Sequence, residues 1–144
     1  MKKSFRIIVL VALSVFLIIG CTSSDSTKLP DQELLQGIWI GHEVGHENGK
    51  CTLTVSGNNI EFRGAHPQEW YKATLTFDEK AKPKCMSFLI KECPAPKYSG
   101  KIARVIYKIE NNTLTLSGNE PGVDARPTSF ERSGNRRVFV LTKE

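Results

Sequence analysis

The chain has 144 residues, with 20 Lys and Arg against 15 Asp and Glu, and a formal net charge of +5. Residues 1–20 hold three basic residues and no acidic one, so the net charge without them is +2. No run of Lys or Arg is interleaved with aromatic residues, and the charge therefore does not predict a nucleic-acid partner.

The N-terminus has the layout of a secretory signal. Lys2, Lys3 and Arg6 precede an apolar run over residues 7–19. As a helix this run would span roughly 20 Å, which is shorter than the ~30 Å hydrocarbon core of a bilayer. We therefore expect a signal that is removed and not a membrane-spanning helix.

Residues 18–21 resemble the bacterial lipobox, in which a branched apolar residue and a small residue precede a cysteine that is lipidated before cleavage. The resemblance implies that Cys21 becomes the mature N-terminus and holds the protein at a membrane through its acyl chains. An ordinary secreted protein is the alternative, but no small-x-small cleavage site lies nearby. Thr22 follows the cysteine, which by the sorting habit of such proteins favours the outer membrane over the inner one.

The mature chain opens with a polar segment that is typical of a solvated tether. Asp31 is then predicted to cap a short helical turn that carries Leu34 and Leu35 and ends at Gly37. The predicted organisation is a signal peptide over 1–20, the lipidated cysteine and tether over 21–33, and one folded domain over 34–144.

Beyond Gly37 the apolar pattern has a period of two, which predicts strands. Strands are predicted at 37–44, 51–56, 59–64, 69–78, 84–92, 101–109, 112–117 and 136–142. Eight short strands with almost no helix predict an all-β domain. Tight turns between them favour an up-and-down antiparallel order, and closure into a barrel would remove the exposed edges.

Gly37-Ile38-Trp39, at the start of the first strand after a short helical turn, resembles the opening of lipocalins. Further motifs resemble a family of short bacterial lipocalin-like proteins, and they lie at 53–57 with 60–62, at 106–110 with 114–116, and at 126–130. The resemblance covers residues 34–143. It implies that the Trp39 ring closes the narrow end of the barrel under a basic side chain from the last strand, for which Lys143 is the candidate.

If Trp39 marks the closed end, up-and-down geometry brings the long connections together at the open end. These connections are 45–50, 64–68, 93–100 and 118–135. We therefore expect any local function at the mouth of the barrel. The longest connection, 118–135, is interpreted either as a lid or binding loop or as an insertion without function.

Residues 42–46 match the H-E-x-x-H motif, in which a helix places two zinc-binding histidines and a catalytic glutamate on one face. Here the motif follows a predicted strand and contains a glycine, so we interpret the match as coincidence and expect no enzyme. A separate hypothesis is a metal site of His42, His46 and His66 at the open mouth. The alternative is three solvent-facing histidines.

Three cysteines remain after lipidation, in a compartment that permits disulfides. Cys85 and Cys93 lie at opposite ends of one predicted strand, roughly 26 Å apart, so they should not pair. A bond between Cys51 and Cys93, which share the open end, is one hypothesis, and three free thiols are the other.

Two non-enzymatic functions remain, and neither calls for a cofactor. One is a lipocalin-like carrier or sensor that holds a small apolar ligand among Tyr71, Phe88, Val105 and Tyr107, and the resemblance favours it. The other is an envelope protein-interaction or inhibitor module that uses the open-end loops. An unfilled barrel would favour the first, and a solid core the second. A zinc hydrolase is a distant third.

Overall fold

The computed structural model describes residues 29–144. The predicted signal peptide, Cys21 and the polar segment 22–28 lie outside the described residues. All eight strands and the core lie within residues 29–144, so a chain that begins at Thr22 contains every residue of the folded domain. No helix in the described part of the chain is long and apolar enough to cross a membrane.

Eight antiparallel strands form a closed barrel in which each strand pairs with the next and the last pairs with the first. They are β1 (Gly37–Glu43), β2 (His46–Ser56), β3 (Asn59–Arg63), β4 (Trp70–Asp78), β5 (Cys85–Glu92), β6 (Ile102–Glu110), β7 (Thr113–Gly118) and β8 (Arg137–Lys143). The predicted all-β, up-and-down barrel is confirmed. A single short helix, α1 (Asp31–Leu35), precedes the first strand in the described residues.

The first hairpin differs from the prediction. Residues 46–50 belong to β2 and not to a loop, because Val44 and Gly45 alone connect the strands. Gly45 has a φ of 85°, a left-handed conformation that a two-residue hairpin turn requires. The pairing of β1 with β2 shifts its register beside Glu43, which is the signature of a β-bulge.

Alternating residues of every strand point into the barrel, as the period of two predicted. The buried core is apolar and consists of Leu35, Trp39, Cys51, Leu53, Val55, Ile60, Ala73, Leu75, Met86, Ile90, Val105, Tyr107, Leu114, Leu116 and Leu141. Tyr71, Phe77 and Ile109 pack against this core from the same strand faces.

Helix α1 seals one end of the barrel by packing over Trp39, which is 1% exposed. The indole Nε1 of Trp39 donates a hydrogen bond to the carbonyl oxygen of Leu35 at 2.8 Å. From β8, the ammonium of Lys143 lies 5.4 Å from the centroid of the Trp39 ring and donates to the Leu34 carbonyl oxygen at 2.9 Å. The ring is therefore held between the helix and a cation, in a cation–π arrangement.

Asp31 does not cap the helix, and this prediction was wrong. Pro30 occupies the N-cap position, and Asp31 is the first helical residue. Its carboxylate instead accepts hydrogen bonds inside the barrel, from the Tyr107 hydroxyl at 2.7 Å and from the Lys84 ammonium at 2.5 Å. Asp31 is 2% exposed, so a buried acidic side chain ties α1 to β6 and to the residue that precedes β5.

The seam between β1 and β8 depends on Gly41. A Cβ atom at this position would lie 1.9 Å from the Val140 carbonyl oxygen and 2.8 Å from the Leu141 Cα. Both neighbours are backbone atoms and cannot move without separating the strands. Glycine therefore permits the close approach that closes the barrel.

Candidate ligand cavity

A cavity of about 330 Å³ opens at the end of the barrel opposite Trp39. Its apolar wall consists of Leu53, Ile60, Phe62, Tyr71, Phe88, Ile90, Ala103, Val105, Leu116 and Phe139. Its rim carries the more polar residues Tyr98, Asn119, Glu120, Asn135 and Arg137, together with Gly118 and Pro121. An apolar interior with a few polar groups at the entrance is the usual character of a small-molecule site.

Three of the four side chains predicted to contact a ligand line this cavity, namely Tyr71, Phe88 and Val105. The fourth, Tyr107, does not line it. Because β6 runs from the open end to the closed end, Tyr107 lies two residues deeper in the barrel than Val105. Its hydroxyl is used by Asp31, and burial together with this hydrogen bond raises its pKa, so it remains a neutral donor.

Aromatic rings form a continuous band across the upper wall. The rings of Phe62 and Phe139 meet edge to face with centroids 5.2 Å apart. Tyr71 lies 6.3 Å from Phe62 on one side and 6.3 Å from Tyr98 on the other. Burial raises the pKa of Tyr71. These spacings are those of favourable aromatic pairs, so the band is a packed and pre-formed surface.

Arg137 is the charged residue at the centre of the rim. Its guanidinium lies 4.9 Å from the centroid of Phe139 and donates to two carboxylates, that of Glu43 at 2.6 Å and that of Glu69. Burial acts to raise the pKa of Glu43, but the hydrogen bond and positive charge of Arg137 outweigh it and lower that pKa overall. The pKa of Arg137 is raised by the same two carboxylates, which outweigh its own burial. Glu43 and Arg137 are therefore both charged at neutral pH.

A second polar cluster joins two connections over the cavity. Tyr98, in the short 3₁₀ turn between β5 and β6, donates its hydroxyl to Glu120 in the connection after β7. Lys97 contacts the same carboxylate at 3.2 Å. The hydrogen bond from Tyr98 and the charge of Lys97 lower the pKa of Glu120. This cluster fixes one side of the entrance.

The long connection 119–136 does not hang over the mouth as a free loop. Arg126 donates to the carbonyl oxygens of Met86 and Val105, both at 2.7 Å, on the outer side of β5 and β6. Further along, the Ser129 carbonyl oxygen accepts a hydrogen bond from the fully buried Ser117 of β7 at 2.9 Å. The connection thus forms a strap on the outer wall, and only its ends contribute to the cavity rim.

A polar cleft lies beside the cavity, between the first hairpin and the connection from β3 to β4. Its volume is about 490 Å³, and it is lined by Glu43, Gly45, His46, Glu47, Asn48, Gly49, Cys51, Ala65, His66, Glu69 and Arg137. Arg137 is the residue that borders both spaces. Its ion pairs with Glu43 and Glu69 therefore form the wall between an apolar cavity and a polar cleft.

The structure does not bring the three histidines together as a metal site. His46 and His66 line the polar cleft, but His42 does not. Since side chains alternate along β1, His42 points outward between the inward-facing Gly41 and Glu43. Within residues 29–144 no group of three His, Cys, Asp or Glu side chains is arranged to hold a metal ion. The described residues therefore give no support to a metal bound by these three histidines.

The H-E-x-x-H sequence spans the end of β1, the turn and the first residue of β2. Glu43 pairs with His46 across the turn, and His42 precedes Glu43 on the opposite face of β1, so the two histidines do not share a face as they would in a helix. Glu43 points inward and pairs with Arg137, and the ring of His46 contacts the Arg132 guanidinium at 3.1 Å. The motif therefore lacks the geometry that its chemistry requires in metalloproteases.

Cys51, Cys85 and Cys93 are all free thiols. The hypothesis of a disulfide between Cys51 and Cys93 was therefore wrong, and that of three free thiols holds. Cys51 is buried in the barrel, where desolvation raises its pKa and disfavours the reactive thiolate. Cys93 donates its S–H to the Ala95 carbonyl oxygen at 3.0 Å.

No family model, curated protein or solved structure matches this chain. Its function is therefore inferred from three features of the structure: the apolar cavity, the aromatic band and the Arg137 cluster.

Three rim residues, Tyr98, Glu120 and Arg137, and the cleft residue Glu69 were missed by the sequence analysis. Arg137 carried a usable signal, because it alternates in step with Phe139 and Leu141, which face inward. Glu69, Tyr98 and Glu120 lie at strand ends or in connections, where no periodic pattern indicates direction. Their convergence depends on the closure of the barrel.

Proposed function

We propose that this chain is a lipoprotein held at a membrane through Cys21, and that its lipocalin-like barrel binds a small apolar molecule as a carrier or sensor. The observation that carries the proposal is the cavity of about 330 Å³ with an apolar wall and a polar rim. Ligand sites are commonly ~300–1,000 Å³, so this cavity lies at the small end of that range.

The volume limits the ligand. An apolar cavity of ~150 Å³ holds benzene, and the present cavity is about twice as large. One or two rings, or a short chain of equal bulk, would fill it. The aromatic band from Tyr98 to Phe139 favours flat, ring-containing molecules because such rings stack and meet edge to face.

The alternative, a protein-interaction or inhibitor module, receives less support. It would present the connection 118–135 to a partner, but that connection is bound to the outer wall through Arg126 and Ser129. A barrel packed solid would also have favoured it, and the barrel contains a cavity instead. The ligand-binding proposal accounts for both observations.

The cavity is tested by filling it. Ala103 lines the cavity and Ile102 points outward from the same strand. We expect the variant Ala103→Trp to lose naphthalene binding, which the unsubstituted chain from Thr22 onward should show by fluorescence titration. Ile102→Trp should bind as the parent does, because it adds the same side chain outside the barrel. Native mass spectrometry of each protein, purified without denaturation from envelope extract, would show whether a cellular ligand follows the same pattern.

Two results would contradict the binding proposal. One is a parent protein that binds no naphthalene and carries no small molecule from the cell. The other is equal binding by Ala103→Trp and the parent, which would place the ligand outside the cavity.

The anchoring part of the proposal gives the barrel an orientation. Because α1 closes the end opposite the mouth, the polar segment enters the domain at the closed end. In the sequence, seven residues, 22–28, separate Cys21 from the first described residue. The closed end would therefore lie near the lipid, with the cavity facing away from it.

Anchoring is tested by metabolic labelling with an alkyne fatty acid. We expect the full-length chain to carry the label and to sediment with membranes, and Cys21→Ser to lose both properties. Cys85→Ser is the matched control, since it removes a cysteine from the folded domain, and it should keep the label. Labelling that survives Cys21→Ser would refute the anchor.

A further inference from the structure

The chemistry of the rim restricts which small molecule the cavity accepts, and this inference rests on the proposed ligand-binding function. The wall is apolar, so the rim must select the polar end of any ligand. Two charged residues border the cavity, Arg137 and Glu120. Glu120 is an exposed group already paired with Lys97 and Tyr98, so Arg137 is the group that a ligand meets.

The charge of Arg137 is balanced by two carboxylates on the side of the polar cleft. Glu43 and Glu69 line the polar cleft and do not line the cavity, whereas Arg137 lines both. The side chains of Glu43 and Glu69 are 10% and 16% exposed, against 39% for Arg137, so the two carboxylates are largely shielded from solvent while the guanidinium remains accessible. A ligand in the cavity therefore approaches a guanidinium whose single positive charge is paired with two carboxylates.

Arg137 nevertheless keeps donors for a ligand. A guanidinium has five N–H groups, and hydrogen bonds to Glu43 and Glu69 occupy two of them. The remaining N–H groups donate to no group in residues 29–144, while the guanidinium itself rests over the cavity-lining ring of Phe139. It can donate a hydrogen bond without requiring an opposite charge.

We propose that the cavity selects neutral ring-containing molecules with one hydrogen-bond acceptor, such as a ketone, lactone or quinone oxygen, which receives a hydrogen bond from Arg137. A carboxylate would place a third negative charge beside Glu43 and Glu69. An ammonium has no lone pair, so it cannot accept a hydrogen bond from Arg137. Each ion would also lose its hydration in an apolar space, which costs far more than the desolvation of a neutral acceptor.

The test uses three naphthalenes of nearly equal size: 2-acetylnaphthalene, 2-naphthoate and 2-(aminomethyl)naphthalene, titrated at neutral pH into the chain from Thr22 onward. We expect the ketone to bind about tenfold more tightly than either ion, a ratio equivalent to one hydrogen bond to a charged donor. Tighter binding of the naphthoate or of the ammonium would overturn the inference and leave the cavity function standing. If none of the three binds, the proposed function fails as well.

A charge-exposing variant tests the cause. In Glu43→Gln/Glu69→Gln the guanidinium is no longer compensated, so the affinity for 2-naphthoate should rise about tenfold while that for the ketone stays within about threefold. The matched control Glu61→Gln/Glu92→Gln removes two carboxylates that pair with Arg63 and Lys72 on the outer wall. It should change neither the affinity for 2-naphthoate nor that for the ketone. Naphthoate affinity that is unchanged in the first variant, with ketone binding retained, would overturn the inference. If the double variant does not bind the ketone, the single variant Glu69→Gln takes its place, with a smaller gain in the same direction.

Discussion

Replacement of Trp39 by alanine is expected to lower the free energy of unfolding by about 3–5 kcal/mol, which is the usual cost of truncating a large buried aromatic. Trp39 is 1% exposed, and its indole N–H holds the Leu35 carbonyl oxygen of α1. The substitution removes this bond, the packing of the ring and the surface on which Lys143 rests. Since small domains are stable by only ~5–15 kcal/mol, the loss is a large share of the total.

Urea unfolding of the chain from Thr22 onward measures this effect, and Trp70→Ala is the matched control. Trp70 lies half-buried at the start of β4, where Lys72 lies 5.9 Å from its ring. We expect its replacement to cost much less than that of Trp39, because it leaves no internal void. Equal losses in the two variants would show that Trp39 does not hold the closed end together.

The strands of this fold could be predicted because each has one solvent-exposed face and one buried face. In β4, Tyr71, Ala73, Leu75 and Phe77 face inward, and the predicted strand 69–78 begins one residue before the observed one. The cavity wall follows from the same alternation, and Tyr71, Phe88 and Val105 lie on it.

Depth within the barrel could not be predicted in the same way. Alternation states that Val105 and Tyr107 face the same interior, but it does not state where open space ends and packing begins. That boundary is set by α1, whose residue Asp31 reaches the Tyr107 hydroxyl across 76 positions of sequence. A carboxylate near the start of a short helix satisfies the capping pattern equally well, so the local signal favoured the wrong partner.

The ion pairs of Arg137 could not be predicted from the sequence for a related reason. The partners of Arg137 are Glu43 and Glu69, from the first hairpin and the third connection, and barrel closure alone makes them neighbours. The long connection posed the opposite problem, because its Pro and Gly content fits a lid and a strap equally well. Arg126 decides between them, since its guanidinium binds strand carbonyl oxygens. Any residue in a strand supplies such a carbonyl, so the sequence does not indicate this contact.

Replacement of Asp31 by alanine is expected to lower the free energy of unfolding by roughly 2–4 kcal/mol, because the bond from Tyr107 to this charged group is worth ~1.5–3 kcal/mol and the partly exposed pair with Lys84 adds about 0–1 kcal/mol. The Lys84 side chain is 33% exposed and can turn to solvent, so its charge is not stranded. The Tyr107 hydroxyl cannot do so, because the residue is 1% exposed. Most of the cost therefore comes from a buried donor that is left without its acceptor.

This reasoning predicts the outcome of a double-mutant cycle by urea unfolding. Tyr107→Phe alone should cost about 1–2 kcal/mol, since Asp31 keeps its bond to Lys84. In Asp31→Ala/Tyr107→Phe the orphaned hydroxyl is gone, so the double variant should lose less stability than the sum of the single variants, by about 1 kcal/mol or more. Asp124→Ala, at a fully exposed carboxylate on the strap, should change stability by less than about 0.5 kcal/mol. Additive losses would mean that Asp31 stabilises the closed end without its bond to Tyr107, through the charge of Lys84 alone.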